Sequence, residues 1–189
     1  MDTSPLLFID SALAALQRAL HDRDSPLRNI QLATVSPSGR PGLRTVVLRR
    51  FERSPPRAEM HTDLRAAKVR DIASARSVVI LAWSPADQLQ LRFEGDAIVH
   101  RGDEVARARW DALPPGARKP YGLRADPGIP VADPGDQAHL PPAEQFGQFG
   151  VVSVALAAVD VLRLGPGGSQ TRAAGRFTPA GLTAEWVGP

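Results

Sequence analysis

The stretch LRTVVLRRF, residues 43–51, has the composition of a buried β-strand with arginine at both ends. Its centre, TVVL, consists of β-branched and large apolar residues, which favour strands. Because side chains alternate across a strand, the even-numbered residues from Arg44 to Arg50 share one face and the odd-numbered residues from Thr45 to Phe51 share the other. Arg44 and Arg49 therefore place a guanidinium on each face. This arrangement raises the question of which anion the arginines are placed to bind.

The composition is that of an ordinary globular protein, and we expect residues 1–189 to form one domain. Apolar residues make up 43% of the 189 residues and charged residues 23%, and the net charge is +3. Because the basic residues are scattered, nucleic acid is not an expected partner. The absence of cysteine excludes disulfides and thiolate sites. No apolar run of about 18 residues predicts a membrane span, and the first residues lack a secretory pattern, so we expect a cytoplasmic protein.

The rest of the chain alternates short helices with many strands. Ser4 and Pro5 suit the start of a helix over residues 5–20. Further helices are predicted over 63–75 and 102–113. The predicted strands are 29–35, 43–51, 58–62, 77–83, 89–99, 151–164, 170–177 and 182–187. SVVILAW, residues 77–83, has no polar alternation and is expected to be buried on both faces. Gly95 is a possible bulge within 89–99. Because βαβ alternation is absent, the order predicts a mainly β or α+β protein, an antiparallel barrel with short helices attached.

A long segment rich in proline and glycine interrupts this pattern. Residues 114–142 hold eight of the 18 prolines and four of the 16 glycines. A loop of this length is uncommon in a compact domain unless it is functional or disordered. We therefore treat the loop, which extends to about residue 145, as a candidate functional element.

The sequence HTDLRAAK, residues 61–68, predicts a phosphate site. Thr62 ends a strand, and Asp63 is expected to open the helix that follows. Arg65 and Lys68 would then lie in the first turns, where cations oppose the helix dipole unless an anion is bound there. With Arg44 added, three or more cations converge on one dianionic group. The alternative is a solvated pair of basic residues, which is common on helix surfaces.

Several familiar site patterns are missing. The sequence contains no GxGxxG motif, no Walker loop and no GxSxG elbow. The histidines lack metal-ligand spacing, so no metal is expected; they are His21, His61, His100 and His139. No residue stands out as a catalytic acid or base, and we assign none.

Four blocks in order resemble the pyridoxamine 5′-phosphate oxidase-like family: RTVVLRRF, HTDLRAAKVRDI, VVILAW and QLRFEG. The resemblance covers residues 30–113 and is strongest to members outside the standard vitamin-pathway oxidase. It implies an FMN-binding split β-barrel and a homodimer with FMN at the subunit interface.

The resemblance also implies roles for individual residues. Arg44 and the backbone of its strand would contact the flavin and its phosphate, Thr62 and Lys68 the phosphate, and Gln90 the isoalloxazine edge. The family oxidase has arginine where this chain has Ala67, and Arg65 is expected to replace it. The complete set implied for FMN is Arg44, Val46, Val47, Arg49, His61, Thr62, Arg65, Lys68, Gln90 and Arg176.

The substrate positions of the family oxidase match less well. Arg172 is a possible substrate contact, but alanine occupies position 174, where the oxidase has its substrate histidine. Trp110 and Pro114 fall near its phosphate-binding tyrosine and arginine. Arg118 and Tyr121 are candidates to compensate for them. A pyridoxal-type substrate is therefore not expected, and the substrate contacts we predict are Arg172, Trp110 and Arg118.

The expected function is that of an FMN-dependent oxidoreductase acting on a small molecule. A non-catalytic flavin carrier, a true pyridoxamine 5′-phosphate oxidase, and the related flavin reductases or deazaflavin-dependent enzymes remain alternatives. A nucleic-acid-binding barrel is disfavoured because the chain has a single tyrosine and few stacking platforms.

Overall fold

The computed structural model describes residues 4–133, 135 and 138–189. Within these residues the chain forms eight β-strands and four α-helices. The helices are α1 (Pro5–Ala19), α2 (Ala67–Ser74), α3 (Glu104–Asp111) and α4 (Pro115–Arg118). The strands are β1 (Asn29–Val35), β2 (Pro41–Arg53), β3 (Pro56–Asp63), β4 (Ser77–Ser84), β5 (Leu89–Arg101), β6 (Phe149–Leu164), β7 (Gln170–Thr178) and β8 (Gly181–Trp186).

Six antiparallel strands close into a barrel in the order β3-β2-β1-β4-β5-β6, with β6 pairing back onto β3. Closure depends on the length of β6, which has 16 residues. Its first half pairs with β3, its second half pairs with β7, and β5 lies along both halves. Strand β8 extends the sheet beyond β7. The predicted split barrel with attached helices is confirmed.

Helix α1 covers the barrel beside β7 and β8, and it forms as its sequence predicts. The Ser4 hydroxyl accepts a hydrogen bond from the Leu7 amide at 3.2 Å, which caps the helix. Phe8, Leu13 and Leu16 lie on its buried stripe and join the barrel core. Burial of each such side chain contributes about 1.5–3 kcal/mol.

A β-bulge in β2 corrects the predicted assignment of faces. Leu48 pairs with Met60 and Arg50 pairs with Glu59, so Arg49 is an extra residue without a partner position. The bulge shifts the alternation by one residue. Phe51 therefore enters the core together with Leu48, although simple alternation places these two residues on opposite faces.

Two further predictions were wrong in detail. Helix α2 begins at Ala67, with Ala66 at the N-cap, instead of at residue 63. Asp63 does not cap this helix. Its carboxylate instead accepts a hydrogen bond from the Arg65 amide at 2.9 Å and forms an ion pair with the Arg65 guanidinium. Strand β4 is buried on one face only, and its other face stays half-exposed.

The described part of the proline-rich segment forms short elements of its own. It contains α4, a 3-10 turn over Lys119–Gly122, and a single antiparallel bridge between Leu123 and His139. Gly95 marks an irregularity between β5 and β6, as its position in the strand predicts. None of the helices within the described residues is long and apolar enough to cross a membrane.

Candidate functional site

A cavity of about 610 Å³ lies where β3 leads into α2, underneath the proline-rich segment. Four residues of the predicted phosphate site line it: His61, Thr62, Arg65 and Lys68. The opposite wall comes from the proline-rich segment, and its lining residues are Pro120, Tyr121, Leu123, Arg124, Ala125, Asp126, Pro127, Val131, Asp133 and Ala138. The structure therefore joins the predicted anion site to the loop that the sequence marks as functional.

Lys68 is a half-buried cation without a counter-ion among the described residues. Burial lowers the pKa of its ammonium group below the ordinary value, and the positive charge of Arg44 lowers it further, while the negative charge of Asp63, which forms no ion pair with it, acts in the opposite direction. A charge held under these conditions is stabilised when an anion arrives. Lys68 lies in the first turn of α2, and the N-cap residue Ala66 offers no side-chain oxygen to the first amides of this helix.

Thr62 is positioned by the last pairs of the β3–β6 ladder and is only 3% exposed. Its hydroxyl donates to the Asp63 carbonyl at 3.1 Å, and it would have to rotate away from that carbonyl to donate to a phosphate. Thr62 and Lys68 thus supply a hydroxyl and an ammonium group to one cavity. The residues present fit the phosphate of FMN, which needs both charge and hydrogen bonds.

His61 is held neutral in the cavity wall. Burial lowers the pKa of its imidazole to about 4, and the positive charge of Arg49 acts in the same direction. Its ring meets Phe149 edge-on at 5.0 Å between centroids. Neither ring nitrogen has a hydrogen-bond partner within the described part of the chain. His61 therefore has a donor and an acceptor that are not used inside the protein.

Arg44 points inward and has a structural role. Its guanidinium donates to the Thr34 hydroxyl at 2.6 Å and to the Leu32 carbonyl at 3.1 Å. It also pairs with the buried Asp71 carboxylate at 3.4 Å, and that carboxylate accepts the Thr34 hydroxyl at 2.6 Å. Arg44 lies close enough to Lys68 for its positive charge to lower the pKa of the Lys68 ammonium group. Its predicted contact with a flavin phosphate stays a prediction.

Arg65 is fully engaged by the protein. It forms a two-point ion pair with Asp63, at 3.0 and 2.7 Å, and a further pair with Asp126 at 3.0 Å. It also donates to the carbonyls of Leu123 and Arg124. The prediction that Arg65 replaces the missing phosphate-binding arginine gains no support from these contacts.

Gln90, Arg172 and Arg176 do not line this cavity. Gln90 lies on β5 opposite Trp83. Arg176 borders a second cavity of about 390 Å³ on β5 to β8, together with Arg92 and Glu94. Arg172 pairs with Asp160 at 2.9 Å. Within a single chain, the residues predicted to bind FMN therefore lie in two separate places.

The aromatic residues near α3 support the cavity. Trp110 is 5% exposed and packs among Tyr121, Phe146 and Phe149, so its predicted role as a substrate contact does not fit its burial. Burial raises the pKa of the Tyr121 phenol to about 12, which keeps it neutral.

Four other predicted residues do not line the cavity. Arg118 donates to the carbonyls of Leu113 and Asp111 and lies over the Trp110 ring, so its predicted substrate contact is also unsupported. Arg49 is exposed at the bulge. Val46 and Val47 are half-buried on β2, opposite β1.

Asp63, Asp71 and Asp126 were missed as organising residues of the site. Each neutralises an arginine that the sequence marks as a ligand for an anion. Asp63 stands two residues before Arg65, and this short spacing was the only available signal. Asp71 and Asp126 are 27 and 61 residues from their arginines, and no local pattern indicates these pairs.

The barrel has the split-barrel architecture that the sequence predicts. Residues 11–101 match the family model described as "Pyridoxamine 5'-phosphate oxidase, FMN-binding domain". The predicted resemblance to that family is therefore confirmed over these residues.

Two solved structures share the fold. An FMN-binding protein of Nostoc punctiforme, described as pyridoxamine 5′-phosphate oxidase-related, is 27% identical, with a TM-score of 0.78 and coverage of 95% of this chain and 96% of that one. PhzG of Burkholderia lata is 15% identical, with a TM-score of 0.69 and coverage of 99% and 93%, and it shows the fold alone.

A curated relative matches over a shorter stretch. The Arabidopsis thaliana pyridoxine/pyridoxamine 5′-phosphate oxidase 2 is 46% identical over 43 residues. That match spans 23% of this chain and 22% of the length of the relative.

Proposed function

We propose that the protein is an FMN-dependent oxidoreductase that acts on a small molecule. The observation that carries the proposal is the half-buried Lys68, which has no counter-ion in the described residues and lies beside Thr62 in a cavity of about 610 Å³. Residues 11–101 match a family model described as FMN-binding, which supports the proposal. Lys68, Thr62 and the first amides of α2 would hold the phosphate.

The bound flavin would supply hydride or electron transfer, because its ring system carries that chemistry. The chain contributes binding, orientation and the exclusion of water. Tyr121 and the apolar residues around it cover the cavity. His61 stays neutral near pH 7 and offers a hydrogen bond without adding charge. No residue is needed as an acid or base when a hydride passes directly between substrate and flavin.

A homodimer would complete this site. The outer face of β4 carries Val79, Leu81 and Trp83, which are half-buried in a single chain. Gln90 lies next to this face, paired with Trp83 across the strands. Docking of two copies through this face would bury the apolar side chains. It would also let Arg176 and Gln90 of one copy complete the flavin site of the other.

The substrate is proposed to differ from pyridoxamine 5′-phosphate. The oxidase-like positions offer little to that substrate, because Arg172 is paired with Asp160, alanine occupies position 174, and Trp110 is buried. Aerobic turnover of pyridoxamine and pyridoxine 5′-phosphate by FMN-loaded protein tests this point. Turnover at the rate of a dedicated oxidase would contradict it.

The first test of the proposal is the identity of the bound flavin. Protein purified in the dark and then heated should release FMN, and the apoprotein should bind FMN at micromolar concentration but not FAD. Release of FAD, or no binding of FMN, would refute the proposal. Light scattering should give the mass of two chains, and the mass of one chain would refute the dimer.

A further inference from the structure

The wall of the cavity opposite β3 is a segment that Tyr121 anchors at one end by packing against Trp110 and Phe149, and the residues beyond Leu123 are exposed. We call residues 120–133 the roof segment. Two backbone hydrogen bonds connect the first residues of the roof segment to residues 138–140. The Leu140 amide donates to the Gly122 carbonyl at 2.7 Å, and the Arg124 amide donates to the Ala138 carbonyl at 2.9 Å. Most residues between 124 and 133 are exposed. An exposed segment with few backbone bonds has low local stability, so its position over the cavity depends on a small number of side-chain contacts.

Arg65 makes the contacts that hold the roof segment from below. Its guanidinium donates to two consecutive carbonyls of the roof, Leu123 at 2.8 Å and Arg124 at 3.1 Å, and to the Asp126 carboxylate at 3.0 Å. The two-point pair with Asp63 fixes the orientation of the guanidinium at the end of β3. Because the planar guanidinium offers five donors in a fixed arrangement, it can join the strand end and the roof at the same time.

We propose that Arg65 is a positioning residue that holds the roof segment over the cavity and thereby controls the entry and release of the ligand. It acts through the roof and does not bind the ligand phosphate. This role goes beyond the proposed function and rests on it only for the identity of the ligand, FMN. The roof supplies Tyr121, Leu123 and Val131 to the cavity, so the same contact shapes the apolar part of the site.

Three variants test the hold on the roof directly. R65Q keeps a polar side chain but loses the charge and the planar set of donors. D126N removes the negative charge from one partner of Arg65, the 57% exposed side chain of Asp126, so the contact is reduced to a neutral hydrogen bond and no buried charge is left unpaired. R40Q is the matched control, because Arg40 is exposed in the β1–β2 turn.

Amide exchange and trypsin report on the roof in these variants. In R65Q, the amides of Arg124 and Leu140 should exchange about tenfold faster, and trypsin should cut after Arg124 faster by a similar factor. D126N should show a smaller change in the same direction, and R40Q none. Thermal unfolding separates a local effect from loss of the fold, and D126N keeps the test valid if R65Q does not fold. The proposal would be overturned if amide exchange and trypsin cleavage in R65Q and D126N had the same rates as in the wild-type protein.

A pair of flavins separates a positioning role from a phosphate contact. FMN and riboflavin differ in the phosphate only, so loss of a phosphate ligand weakens FMN and leaves riboflavin unchanged. K68M should therefore weaken the binding of FMN and leave the binding of riboflavin unchanged. R65Q should instead speed both association and dissociation, and it should change the dissociation constants of FMN and riboflavin by the same factor.

The outcomes distinguish this proposal from the proposed function. If R65Q weakens FMN tenfold or more while riboflavin is unaffected, Arg65 is a phosphate ligand and the positioning role is wrong. If the wild-type protein binds neither flavin, the proposed function fails, and amide exchange and trypsin cleavage still decide whether Arg65 holds the roof.

Discussion

Replacing Lys68 by methionine should have opposite effects on cofactor binding and on stability. Methionine keeps most of the aliphatic length of lysine and removes the charge. A charge-assisted hydrogen bond contributes about 1.5–3 kcal/mol, so the affinity for FMN should fall roughly 10- to 150-fold. Burial and the nearby Arg44 lower the pKa of Lys68, which means that the folded apoprotein disfavours its charge. The free energy of unfolding of the apoprotein should therefore stay unchanged or rise.

The chain provides a matched control for this experiment. Lys119 is the second of only two lysines, and its side chain is exposed. Lys119→Met changes the net charge equally and should alter neither property. Fluorescence titration gives the FMN dissociation constant, and urea unfolding of the apoprotein gives the stability. The reasoning is refuted if Lys68→Met binds FMN like the wild type, or if it loses more than about 1 kcal/mol of stability, which would mean that Lys68 makes a stabilising contact in the apoprotein.

Three further predictions concern ion pairs and pH. Arg44→Ala should lower the free energy of unfolding by about 1.5–3 kcal/mol, because buried Asp71 loses its charged partner; a loss under about 0.5 kcal/mol in urea would contradict this. Arg109→Ala should cost about 3 kcal/mol, since Glu59 is only 3% exposed, and much less when Glu59 is also changed to glutamine; equal costs would argue against the pair. The pKa of His61 is lowered from 6.5 to about 4 in the folded protein, so His61 takes up a proton in the unfolded chain at a higher pH than in the folded protein. The contribution of neutral His61 to the free energy of unfolding is therefore complete above about pH 6.5 and is lost as the pH falls toward 4. Urea unfolding across this range should show His61→Phe losing about 3 kcal/mol less than the wild type by pH 4, and identical pH profiles would rule the histidine out.

The strands and their order follow from local pattern. Each strand predicted from alternation or from a β-branched run is present, because a barrel strand buries one face and the sequence must repeat every second residue. The absence of βαβ alternation already implied antiparallel pairing. The segment HTDLRAAK brings Thr62 and Lys68 into the wall of one cavity through the local strand-to-helix junction, and the binding of an anion there stays a prediction.

Tertiary contacts decided which cations are available to an anion. Arg44, Arg65 and Lys68 look equivalent in the sequence, yet only Lys68 lacks a counter-ion within the described chain. The first two are neutralised by carboxylates, and the pairs with Asp71 and Asp126 bridge 27 and 61 residues. Local patterns cannot contain such information, because a side chain's charge partner depends on which distant elements the barrel brings together. The bulge at Arg49 has the same origin: pairing between β2 and β3 sets the register, and the register decides which side chain enters the core.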